Sequence, residues 1–200
     1  MGTPVTTNIL YGPVTLWKAP VGETVPADSV GAGVAWGGNW AKVGYTKAPL
    51  TMTYEDEQGE ADVQEALTPV KRWKTKETVA FETVLAELTS EYLNLANGAG
   101  TVTTTAAGVG QVGKDEYEVG GESALDELAW GFEGTYVNSS GVSFPVRLFL
   151  FKATTKIGGE TEFSKEEYPG ISIQINALAD MGKDMGKRLF KFQRVTAAAS

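Results

Sequence analysis

The sequence predicts an all-β fold, a β-sandwich or partly closed barrel, with one short flanking helix and extended arms or loops. Three observations predict it. Apolar and polar residues alternate at strand spacing along the chain, in Leu50/Met52/Tyr54, Leu128/Trp130/Phe132, Ile171/Ile173/Ile175 and Phe190/Phe192. Only one window carries helix signals at both of its ends. Glycine and proline punctuate most of the rest. Two hundred residues, 42% of them hydrophobic, can bury one large core. With no internal repeat and no boundary between dissimilar halves, residues 1–200 read as a single domain.

The elements follow in order. Ile9–Lys18 is an extended arm leading into a strand, the arm occupying 1–16. Ala19–Trp40 is a loop, since five glycines and two prolines would break any helix there. Leu50, Met52 and Tyr54 predict a half-buried strand running into the acidic stretch "TMTYEDEQGEADVQEA", Thr51–Ala66. Gly59 is expected to turn the chain, with Ala61–Leu67 returning as partner strand, so that 46–72 forms an acidic hairpin or loop. A further strand, from about Thr75, ends near Ala86. Thr89 is a good helix N-cap, Glu91 suits the first turn, Leu88 can staple onto Leu93, and Asn97-Gly98 is a stop. These signals predict a helix over Ser90–Asn97. Ala99–Gly113 reads as a loop or flexible hairpin. Leu128–Phe132 and the doubly apolar Ser143–Ala153 are strands joined by a turn at Asn138–Gly141. Residues 183–200 form a basic C-terminal segment and tail.

Composition removes several kinds of chemistry. The chain has no Cys and no His, hence no disulfide, thiol or zinc-thiolate site and none of the commonest general base. No run of apolar residues is long enough for a membrane helix, so no membrane insertion is expected. "MGTPVTTNILYGP" lacks the basic and apolar regions of a secretory signal. Gly2 and Thr6 fit the loose myristoylation pattern by chance, and without a secretory route the Asn138 sequon carries little meaning. The net charge is −8, but Lys183, Lys187, Arg188, Lys191 and Arg194 sit together against Asp184 alone. The rest of the chain holds 12 basic and 24 acidic residues and would repel nucleic-acid phosphates.

No motif passes its structural requirement. With Gly59 at the sixth position of a calcium loop, Tyr54 takes the first position, where a carboxylate is required, and the flanks are strand-like. Adjacent acids on one solvated hairpin lack the cleft of a glycosidase pair. "GVGQVGK", Gly108–Lys114, matches a dinucleotide fingerprint, but Gly120-Gly121 argues against the helix that must follow. Trp17, Trp36, Trp40, Trp73 and Trp130 are scattered, which suits core or interface packing better than a sugar platform. No catalytic, cofactor-binding or metal-binding residue is assigned, and no enzyme activity is expected.

Five segments, "VTLWKAPVGETVP", "WGGNWAKVGYT" flowing into "LTMTYEDE", "LAELTSEYLNLANG", "ISIQINALAD" and "GKRLFKFQRV", follow in an order that resembles the major tail tube proteins of long-tailed bacteriophages. The resemblance implies a β-sandwich with a flanking helix. It also implies stacked hexameric rings whose strands join into one barrel, and a bore through which genomic DNA passes without tight binding. Tape measure and tail terminator or tip proteins are implied partners, with the virion tail as location. Within that reading, Glu55, Asp56, Glu57, Glu60 and Asp62 either face the lumen or lie on a solvated hairpin that orders on assembly. Lys187, Arg188, Lys191 and Arg194 are expected to contact acids of an adjacent subunit. The alternative is a monomeric carbohydrate-binding or adhesin-like sandwich.

Overall fold

The computed structural model describes residues 13–121, 123–138, 140–161 and 167–197. Among them run strands β1 (Thr15–Pro20), β2 (Ala41–Lys42), β3 (Thr51–Ala61) and β4 (Lys71–Leu85), then helix α1 (Ser90–Asn97). There follow β5 (Thr101–Thr105), β6 (Lys114–Glu118), β7 (Leu128–Val137), β8 (Ser143–Ile157), β9 (Ile171–Ala177) and β10 (Phe190–Arg194). Of the expected N-terminal arm only residues 13–16 are described, and Thr15 and Leu16 already belong to β1.

The main sheet runs β2-β1-β7-β8-β9-β4-β3, with β10 also on β8, and every pairing is antiparallel. The fifteen-residue β8 makes it a sandwich. Its first half, Val146–Leu150, pairs with β10 while also pairing with β7; its second half, Ala153–Ile157, pairs with β9. One layer is therefore β2-β1-β7-β8-β10 and the other β8-β9-β4-β3. Their inner faces meet in a core of Leu16, Trp130, Phe132 and Leu150 against Val79, Phe81, Ile171, Ile173 and Ile175. Phe81 stacks on Phe132 across the layers, centroids 4.7 Å apart. The expected strand runs of β7, β8 and β9 form as read, and β8 is buried on both faces over much of its length. The sheet does not close into a barrel.

Helix α1 forms over the residues its caps predict. Thr89 Oγ1 accepts a hydrogen bond from Tyr92 N, and Gly98 takes the left-handed conformation (φ 72°) with its N–H donating to Asn94 O. Leu95 and Ala96 enter the core at one end of the sandwich. The hairpin expectation for Ala99–Gly113 resolves into β5 and β6, with Gly108–Gln111 in its tip and a strand, rather than a nucleotide-binding helix, after the glycines.

The outer face of the first layer is covered by the long loop between β1 and β2. Trp17, Ala19, Ala129 and Phe149 of the sheet receive Trp36 and Trp40 from that loop. Trp17 and Trp36 stack at 5.0 Å. Beside them lies a buried ion pair. Glu133 Oε2 accepts from Arg147 Nε (2.8 Å) and Trp36 Nε1 (3.1 Å), and Oε1 accepts from Gly33 N (2.8 Å). Arg147 Nη2 donates to Val30 O at 2.6 Å. A loop with little secondary structure is thus fixed by two charged side chains on adjacent strands, each satisfying several of the other's and the loop's polar groups.

Candidate assembly surfaces

The second layer, β8-β9-β4-β3, is where the sequence-predicted acids fall. Side chains alternate across a strand, and the buried positions Val79, Phe81, Thr83 and Leu85 of β4 mark the core side. The opposite face carries Glu55 and Glu57 of β3, Lys76, Thr78 and Glu82 of β4, Ser172, Gln174 and Asn176 of β9, and Thr154 and Lys156 of β8. Ala80 and Val84 of β4 lie among them, so the face is mainly polar, and none of these residues is buried. Among the described residues, at the two sides of this layer, β3 pairs only with β4, and β8 from Thr154 to Ile157 pairs only with β9.

β3 is longer than the core it flanks. Its register with β4 runs from Thr51↔Glu82 to Ala61↔Lys71, with a bulge opposite Glu57/Gln58. The expected turn at Gly59 and return strand Ala61–Leu67 are therefore replaced by a longer hairpin whose loop spans 62–70. Gly59 stays extended because it lies against Trp73: an added Cβ would come within 2.8 Å of the indole ring. Nor is β3 half-buried, for Met52 and Tyr54 are both exposed. From Glu55 to Ala61, and from Lys71 to Thr78, the two strands leave the sandwich as a ribbon exposed for most of its length.

The ribbon disperses the acids that the sequence groups together. Glu55 and Glu57 share the polar outer face. Asp56 and Glu60 point to the other side, and Asp62 lies beyond the strand in the loop. The partner strand also neutralises part of the charge. Lys76 bonds Glu57 at 3.2 Å and Arg72 bonds Glu60 at 2.8 Å. Lys74 bridges Tyr54 (2.7 Å) and Glu77 (2.6 Å). Hydrogen bonds from Lys74 and then Tyr54 hold the Glu77 carboxyl below its ordinary value. The Lys74 ammonium is in turn raised by its bonds to Glu77 and Tyr54.

The basic segment is likewise engaged within the chain. Lys187 bonds Asp184 at 3.2 Å, Arg188 Nε donates to Lys183 O at 3.1 Å, and the Arg194 guanidinium lies 4.2 Å from the Tyr136 ring centroid. Lys191 is exposed on β10, opposite Phe149. Between the ribbon and residues 179–190 lies an open cleft of about 920 Å³, which Tyr54, Lys74, Lys76, Met185, Arg188 and Phe190 help to line. Four of the five tryptophans are buried, so they form no open sugar platform; Trp73, 46% exposed, is on the ribbon.

Among the described residues the fold is thus an antiparallel sandwich with one mainly polar outer sheet face, two edges without a strand partner and a projecting ribbon. A family model described as "Phage tail tube protein" matches residues 7–192. The chain belongs to the phage tail tube protein family. Membership makes it a structural component of the virion tail that assembles with its own copies into a tube, and the family is not one of enzymes. No curated protein matches the chain. Among the described residues no helix is long and apolar enough to cross a membrane.

Proposed function

We propose that copies of this tail tube protein close into rings through the layer β8-β9-β4-β3, and that its polar outer face becomes the wall of a DNA conduit. The observation that carries the reading is that face: four strands wide, mainly polar with Ala80 and Val84 among its residues, and flanked by β3 and the end of β8, each paired on one side only among the described residues. Unpaired edges invite strand addition, and ring closure satisfies each edge with a neighbour. Six copies contributing four strands each give a barrel of backbone diameter roughly 45–50 Å at 4.8 Å spacing and about 40° tilt. Duplex DNA fits within it.

Glu55, Glu57 and Glu82 then face the bore against Lys76 and Lys156. The excess of carboxylate repels phosphate over about 8 Å at physiological salt, and Lys76 is already held by Glu57. Asp56 and Glu60 belong to the ribbon's other side and serve contacts rather than the lumen. Lys191, with Lys187, Arg188 and Arg194, meets acids of an adjacent subunit. A tape measure protein within the bore and terminator or tip proteins at its ends complete the assembly.

The test is ejection from particles carrying Glu55→Gln and Glu57→Gln together. Tubes should form at normal yield while DNA release slows. Release at the parental rate would remove Glu55 and Glu57 from the lumen.

A further inference from the structure

The loop 21–40 crosses the outer face of the first layer, and its fastenings follow the strand order β7-β8-β10. On β7, Glu133 accepts from Gly33 N and Trp36 Nε1. On β8, Arg147 donates to Val30 O. On β10, Gln193 Nε2 donates to the Asp28 carboxylate. Running back along the loop from Trp36 to Asp28 therefore crosses three neighbouring strands, with a fastening on each. The last of these strands is also the least supported. β10 has five residues and, among the described residues, pairs only with β8. Just beyond its end, Val195 N donates to Pro145 O at 3.2 Å and Tyr136 Oη donates to Val195 O at 2.7 Å. Gln193 lies opposite Arg147 in the register of β10 with β8, so the two side chains leave the same face of the sheet. Arg147 Nη1 and Gln193 Oε1 are both buried, and neither has a hydrogen-bond partner among the described residues. The first can only donate and the second can only accept.

We infer that the loop 21–40 and strand β10 form one latch, in which Gln193 spans from Asp28 to Arg147 and neither element opens without the other. Gln193 Oε1 accepts from Arg147 Nη1, directly or across one water. Separately, a short strand paired on one side and a loop with little secondary structure would each open locally at small cost. Joined through Gln193 they share a single opening. If β10 lifts alone, Asp28 loses its donor and the Arg147 guanidinium loses the acceptor beside it. If the loop lifts alone, Gln193 loses Asp28, and Arg147 and Glu133 lose the loop groups they hold. This coupling belongs to the single chain and holds whether or not copies assemble.

Amide hydrogen exchange followed by NMR on the unassembled full-length subunit tests it. Gly33 N–H reports on the loop, Val195 N–H on the strand, and Leu93 N–H, bonded to Thr89 O, on the rest of the fold. Loss of one hydrogen bond shifts an opening equilibrium by about three- to tenfold. Asp28→Ala should therefore speed exchange at Gly33 and at Val195 alike by about that factor, and Gln193→Leu should do the same, with Leu93 unchanged in both. Asp28→Asn keeps an acceptor for Gln193 and should stay near the parental rates. Lys191→Ala, exposed on the same face of β10, should stay near them too. Acceleration of Gly33 alone in Asp28→Ala, or of Val195 alone in Gln193→Leu, would overturn the latch. So would parental rates at both sites, or equal acceleration at Leu93. Asp28 is exposed, so its two variants carry the test even if Gln193→Leu does not fold.

Discussion

Replacing Arg147 by alanine tests how the chain fixes its longest loop. In the parent the Arg147 and Glu133 side chains are 0% and 3% exposed, and their bond is 2.8 Å. Truncation removes the donor to Glu133 Oε2 and to Val30 O, and leaves the Glu133 carboxylate buried with only Trp36 Nε1 and Gly33 N as partners. Removing one member of a buried pair costs about 3–5 kcal/mol, because the remaining charge stays desolvated without compensation. A domain of this size loses about 2–4 °C of Tm per kcal/mol, so the melt should fall by roughly 6–20 °C. The assay is thermal and urea unfolding of the unassembled subunit. Arg147→Met with Glu133→Leu removes both charges, but Trp36 Nε1 and Gly33 N then lose their acceptor at about 1–3 kcal/mol each, so the double variant should also be less stable than the parent. An Arg147→Ala variant within about 0.5 kcal/mol of the parent would refute the buried pair as the loop's anchor, as would a double variant as stable as the parent.

Three further outcomes are expected. Thr89→Ala removes the helix N-cap and should cost about 0.5–2 kcal/mol in urea unfolding, with Thr89→Ser recovering most of it; no change would mean the cap bond is not formed in solution. The Glu77 carboxyl, bonded by Lys74, should titrate below its ordinary 4.5 in a carbon-detected NMR experiment, and Lys74→Ala should move it back up. Because its folded value is depressed, Glu77 favours the folded ribbon above about pH 4.5, and that contribution disappears as pH falls through the folded value. A Glu77 titration unmoved by Lys74→Ala would remove the cluster. Lys191→Glu, on the exposed strand β10, should lower tube yield without altering the melt, whereas unchanged yield would exclude it from subunit contacts.

What was legible in the sequence was the part governed by local chemistry. Thr89, Asn97 and Gly98 bound the helix because caps act through backbone groups three or four residues away. Ile171, Ile173 and Ile175 alternate because one face of β9 meets the core. The hairpin was misread for the opposite reason. Gly59 resembles a turn residue, yet it is held in the strand by an indole fourteen positions later, a contact no local window contains. Met52 and Tyr54 alternate like core residues although β3 overhangs the core at the sheet edge. The acidic stretch reads in sequence as one group of acids, facing a lumen or on a solvated hairpin. Its charge is divided between two faces by the pleat and partly cancelled by Lys76 and Arg72, which become neighbours only through the register with β4. The Glu133–Arg147 pair left no signal beyond two charged residues in strand-like segments, since its meaning depends on a loop a hundred positions upstream.

Imaging the assembled tube by electron cryomicroscopy at side-chain resolution is the most direct measurement. A hollow tube should appear, with Glu55, Glu57, Glu82 and Gln174 projecting into the bore and β3 of each copy hydrogen-bonded to a neighbouring chain. A bore lined instead by the Lys187–Arg194 segment, or a β3 edge left unpaired in the assembled particle, would contradict it.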